Sequence, residues 1–182
     1  LECRLGISNT EASDIFSFFP IGAMVLTPLL GGFLDRRGKG ATMLMIGAIL
    51  MISCHLIFAL TPDSLFSKSI AYGAIIILGV SFSLVPAALW PSVPKLVENR
   101  YLGSAYSVVF WIQNIGLMAF PMLIGWSLAV TNKGVVNPLE YNYKVPMLIF
   151  ASLGILAFFL AIWLKSEDKK KGYGLELPNI QK

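Results

Sequence analysis

Charged residues in this chain are spaced so as to leave five long stretches with none. Positions 15–34, 40–62, 69–94, 101–132 and 145–164 contain no Asp, Glu, Lys or Arg. A helix needs ~20 residues to cross about 30 Å of hydrocarbon, and each run reaches that length. Inside a bilayer every backbone N–H and C=O must be satisfied within the protein, which a helix does by itself. The predicted fold class is therefore an all-α membrane protein, a polytopic helical bundle. Its spans lie at about 15–34, 41–61, 69–90, 102–130 and 145–164, and a tail follows at 165–182. Charged residues make up 13% of the chain, about half the share of a soluble domain, which excludes an ordinary globular enzyme.

The net charge of +4 needs no nucleic-acid partner to explain it. If the spans are numbered one to five, the connections after spans one and three and the segment after span five lie on one side. They carry Arg36, Arg37, Lys39, Lys95, Arg100, Lys165, Lys169, Lys170 and Lys171. The other side carries Arg4, Lys68, Lys133 and Lys144. Nine against four fits the positive-inside rule with the carboxyl terminus in the cytoplasm. The expected location is an integral multi-pass position in the cell (inner) membrane, with a lysosomal or other endomembrane as the alternative. The chain opens with "LECRLGISNTEASD" and no Met, and five spans place its ends on opposite sides. It reads as a piece whose amino-terminal portion is absent.

Ser8, Asn9 or Thr10 is suited to cap the first helix, with Glu11 and Asp14 in its first turn. Pro20 and Pro28 fall inside span one, and Pro86, Pro91 and Pro94 inside span three. Gly79, Ser83 and Ala87 form a small-residue stripe that lets helix backbones approach closely. "TPLLGG" in span one and "FPMLIGW" in span four both place proline shortly before glycine, in helices crossing in opposite senses. An inverted repeat would give that pattern. The stretch 131–144 reads as a loop, and the tail from Ser166 as a mobile, solvated segment.

Chemistry-bearing residues are few. Cys3 and Cys54 make neither a disulfide framework nor a metal spacing, and no metal or other cofactor is expected. His55 is the lone histidine, read first as a side chain bonded to a neighbouring helix. No "GxSxG" elbow accompanies the serines, so an enzyme is not expected. The informative polar group is "WIQNIG", which sets Gln113 and Asn114 near the middle of span four. Two carboxamides at that depth are costly unless they bond other helices or face water. They point about 100° apart, so one shares a face with Trp111 and the other with Phe110. Each is either interhelical glue or a hydrogen-bonding group for a polar solute. Ser83 and Trp90 on span three extend the solute-path candidates.

The stretch "GGFLDRRGKG", 31–40, resembles a motif of the major facilitator superfamily. That motif runs Gly, three residues, Asp, a basic residue, any residue, Gly and two basic residues. Gly31, Asp35, Arg36, Gly38 and Lys39 match it, and Gly40 replaces the last basic position. The resemblance implies half of a major facilitator fold, helices eight to twelve, lacking helix seven and the amino-terminal bundle. "LGVSFSLVPAALWPSV" and "LGSAYSVVFWIQNIGL" further resemble the branch of major facilitator superfamily domain-containing protein one, whose substrates are dipeptides. The implied function is a secondary transporter moving a small polar organic solute by alternating access. The alternative is a non-transporting scaffold or partner-binding subunit on the same fold. The implied partners are the solute, the bilayer and the missing bundle. Asp35 closes span one, where its own helix dipole disfavours it by about 0.3–1 kcal/mol. The resemblance suggests a facing helix of the other bundle as its compensation, with the motif acting as a gate whose glycines permit close approach.

Overall fold

A computed structural model describes residues 1–180. Gln181 and Lys182, the last two positions of the expected tail, and the side chains of Cys3 and Arg4 lie outside the described residues. The short helix α1 spans Glu2–Leu5, and five long helices follow. They are α2 Asn9–Arg37, α3 Gly40–Leu60, α4 Lys68–Leu96, α5 Leu102–Thr131 and α6 Lys144–Lys171. All five are long and apolar enough to cross a membrane.

Ser8 is the residue that caps α2. Its hydroxyl accepts from Glu11 N while Glu11 Oε2 accepts from Ser8 N, both at 3.3 Å, a reciprocal capping box. The interior prolines Pro20, Pro28, Pro86, Pro91, Pro94 and Pro121 all sit within continuous helix. At its 29 residues α2 measures about 43 Å, so it projects beyond the hydrocarbon or tilts within it.

Packing is uneven. Helix α4 is the central rod, against α2 on one flank and α3 on the other, and α6 packs on the far side of α3. Small residues set these contacts. A Cβ added at Gly79 would meet the Phe19 backbone at 3.6 Å, and one at Gly47 would meet Leu84 and Ser81 at 3.5 Å. Ser81 Oγ donates to Gly47 O at 2.7 Å, a bond between α4 and α3. Gly79, Ser83 and Ala87, the predicted stripe, are all buried. Helix α5 stands apart, touching α4 and α6 lightly, and Ser127 is its one buried residue.

The charges separate by end, as the spacing predicts. The ends of α2, α4 and α6 and the start of α3 form a basic end with Arg36, Arg37, Lys39, Lys95, Lys165 and Lys169 to Lys171. At the opposite, loop end Lys68 meets Glu11 at 2.9 Å. There Asn132 holds the α5–α6 loop: its Oδ1 accepts Asn142 N at 2.6 Å, and a 3-10 turn at Pro138–Glu140 completes the connection.

The tail corrects an expectation. Helix α6 continues past Leu164 to Lys171, because Glu167 pairs with Lys170 (3.0 Å) and Lys171 (3.5 Å) along its surface. Beyond it, 172–180 is an ordered strap that folds back onto the α2–α3 turn, and Leu175 is 1% exposed.

Candidate solute path and gating turn

The polar face of α5 is assembled from its own sequence and from the end of α4. Trp90 stacks on Phe110 at 5.0 Å between ring centroids, and Tyr106 Oη donates to Trp90 O at 3.2 Å. These aromatics join α5 to α4. One turn further along α5, Asn114 Nδ2 donates to Phe110 O at 2.8 Å. That internal bond satisfies one donor and leaves the side chain exposed, with acceptor capacity to spare. Trp111, 67% exposed, shares the Asn114 face. Gln113, about 100° around the helix, lines a groove of about 610 Å³ between α5 and α6 with Phe120, Pro121 and Phe150. Neither amide is used as glue to α4 or α6 through a bond seen among the described residues.

Ser83 is not part of that face. It is fully buried inside the α4 contact stripe and its hydroxyl donates to Gly79 O, one turn back, at 2.7 Å. The structure therefore sets Trp111 and Asn114 side by side on one exposed face of α5, joins Trp90 to Tyr106 and Phe110 on the neighbouring Gln113 face, and removes Ser83 from both.

His55 also differs from expectation. Its Nδ1 lies 2.8 Å from Met51 O of its own helix, and its ring leans on Phe150 at 5.2 Å. His55 and Cys54 line a cavity of about 790 Å³ with Phe16, Phe58, Met147 and Phe150. Sequence spacing carries no sign of this space, because residues of five helices, α1, α2, α3, α4 and α6, line it. Among the described residues no group of three or more His, Cys, Asp or Glu has a metal-holding arrangement.

At the basic end, the motif residues occupy one tight turn. Gly38 has φ 72° and ψ −142°, a conformation close to glycine-only territory, and Lys39 follows with φ 69°. Asp35 Oδ1 accepts Asn179 Nδ2 at 2.7 Å, and Asp35 O accepts the N–H groups of Asn179 (3.1 Å) and Ile180 (3.0 Å). Arg36 and Lys39 are exposed. The close approach expected of the glycines falls at Gly38 and Gly40, against the tail. At Gly31 and Gly32 no described atom lies within 4 Å of an added Cβ.

Five membrane-length helices with mid-span amides and a Gly–Asp–Arg turn define a multi-pass helical membrane protein. The family model of the Major Facilitator Superfamily matches residues 4–177, and the chain belongs to that superfamily. It is 31% identical over 125 residues to the lysosomal dipeptide transporter MFSD1 of Bos taurus, a match covering 69% of this chain and 25% of the relative. The Danio rerio protein of the same name is 33% identical over 127 residues, 70% of this chain and 26% of the relative. The quinolone resistance protein NorA of Staphylococcus aureus (strain Mu50 / ATCC 700699) is 22% identical over 166 residues, 91% of this chain and 39% of the relative. The matched stretch thus spans a quarter to two fifths of these relatives' length. No solved structure matches the chain significantly.

Proposed function

We propose that this chain forms the carboxyl-terminal part, helices eight to twelve, of a secondary carrier that moves a small polar organic solute by alternating access. The observation that carries the reading is the face of α5. Asn114 lies mid-span and exposed, beside an exposed Trp111 and one turn from Phe110, whose ring stacks on Trp90 of α4. An amide facing hydrocarbon at that depth is unfavourable, so this face is suited to a watery path or to a second bundle. Neutral amides and aromatic rims recognise polar solutes by hydrogen bonding and stacking, without an ion pair from this half. Dipeptides are the solute class to test first, since the MFSD1 relatives are dipeptide transporters.

Asn114, Trp111, Trp90 and Gln113 are assigned to the path. Gly31, Asp35, Arg36, Gly38 and Lys39 are assigned to a gating turn at the basic end, which faces the cytoplasm in this reading. The test is uptake by the full-length protein in proteoliposomes, with dipeptides, amino acids and sugars as candidate solutes. Asn114→Leu should lower uptake per folded molecule at least tenfold while leaving expression and thermal stability near those of the parent. Unchanged uptake in this variant would make Asn114 a packing residue. Absence of uptake of every solute by well-folded parent protein would favour a scaffold instead.

A further inference from the structure

The α2–α3 turn lacks capping side chains of its own: Lys39, at the start of α3, makes no side-chain cap bond. The tail supplies what is missing. Leu175 O accepts Gly40 N and Glu176 O accepts Lys39 N, each at 3.0 Å. The Glu176 carboxylate takes Thr42 N on one oxygen and Thr42 Oγ1 on the other, both at 2.8 Å. This acceptor at a helix start answers both its free N–H groups and its dipole. Lys165 of α6 completes the group by donating to Thr42 Oγ1 at 2.6 Å. On the α4 side, Lys95 Nζ donates to Gly174 O (3.0 Å) and Leu177 O (2.7 Å). Asp168 Oδ1 accepts Leu175 N at 3.0 Å, so the strap is also tied to the helix it leaves. One apolar side chain, Leu175, anchors the whole segment beside Ser92 and Ala88 of α4.

The last tie in this series is the one with a consequence for gating. Asn179 holds both the carboxylate and the main-chain oxygen of Asp35. While it does so, that carboxylate has a partner within its own bundle. The strap lies at the end that carries the charged residues, and Leu177 and Ile180 are each 59% exposed, so its hydrogen bonds compete with water.

We propose that residues 172–180 are a conformational latch: docked, they brace the α2–α3 turn against α4 and α6 and hold Asp35; released, they free Asp35 to engage another surface. The part concerning Asp35 rests on the carrier reading above, and the docking does not. Two experiments on the full-length protein separate them. For docking, Ser92→Cys is introduced with Cys3→Ser and Cys54→Ala, and its reaction with a membrane-impermeant maleimide is timed from the basic side. Truncation after Gly172 should raise that rate at least tenfold, and Leu175→Asp should do the same with the tail still present. Unchanged rates in both would overturn the latch, whether or not any solute is carried.

For Asp35, a reporter cysteine at the basic mouth of the path is labelled in the parent and in Asn179→Ala, which keeps the Leu175 anchor. Asn179→Ala should change the labelling rate at least threefold, and the change should vanish in an Asp35→Asn background. An equal effect in both backgrounds, or none in the parent, would overturn the competition for Asp35. Failure of the parent to transport any solute would strike the carrier reading and leave the Ser92→Cys result standing.

Discussion

Gly38 has no space for a side chain. A Cβ there would collide with the main chain of Glu176, Leu177 and Pro178, and its backbone already sits at φ 72°. Main chain cannot swing aside as a side-chain tip can, so Gly38→Ala should cost about 1–3 kcal/mol, from strain and from the displaced tail. Gly32→Ala is the control, since no described atom lies within 4 Å of its added Cβ and it is mid-helix. It should be neutral or stabilise by up to about 1 kcal/mol. Thermal unfolding in detergent of the two variants checks this, and equal losses would contradict it. The glycines were visible in the motif from sequence, but which of them is crowded was not. The crowding comes from residues more than a hundred positions further along the chain. Ser83 is illegible for a related reason: a serine at helical spacing looks the same whether it borders a path or bonds to its own helix.

Among the elements, the α3–α6 contact depends on one glycine. A Cβ at Gly154 would stand 2.7 Å from Ile52 Cγ1 and 3.4 Å from Ile52 N. Cγ1 is close to the Ile52 backbone and has little freedom to move, so Gly154→Ala should overpack the interface and cost about 1–3 kcal/mol. Ile52→Ala alone should also destabilise, by removing packed methylenes. The pair Gly154→Ala with Ile52→Ala should lose less than the two singles added together, because the cavity of one receives the methyl of the other. Additive losses in thermal unfolding would mean that the helices simply separate. The helices themselves were legible because charge stops where hydrocarbon begins. The stretch of α6 beyond Leu164 carries no apolar signal, because loss of apolarity is not loss of helicity: Glu167, Lys170 and Lys171 sustain the helix past the uncharged run. The isolation of α5 was hidden as well, since its composition matches that of its packed neighbours and only the assembled bundle shows which faces are covered.

Across the whole molecule, the two ends are built from different chemistry, and this makes sidedness testable. The basic end joins four helix ends through the tail, with Lys95 and Lys165 bonded inward and Arg36, Arg37 and Lys39 exposed. The loop end is held by neutral Asn132 contacts and a half-exposed Lys68–Glu11 pair, which contributes little. Positive charge is retained on the cytoplasmic side during insertion, and the basic residues counted here flank spans closely, where the rule applies. Cysteines placed singly at Lys39 and Lys169 should therefore react with an impermeant reagent from the cytoplasmic face, and one at Lys133 from the opposite face only. Lys39 and Lys133 are the informative pair, because α3, α4 and α5 lie between them and three crossings must invert the side. Labelling of both from one side would mean that one of these helices lies along the membrane or fails to cross it. Helix α5 would be the first suspect, having the fewest contacts to hold it upright in this chain. Labelling of the expected pair with Lys169 on the far side would instead place the fault in α6. That result would also detach the tail from the α2–α3 turn, since Lys165 and Glu176 could no longer reach Thr42.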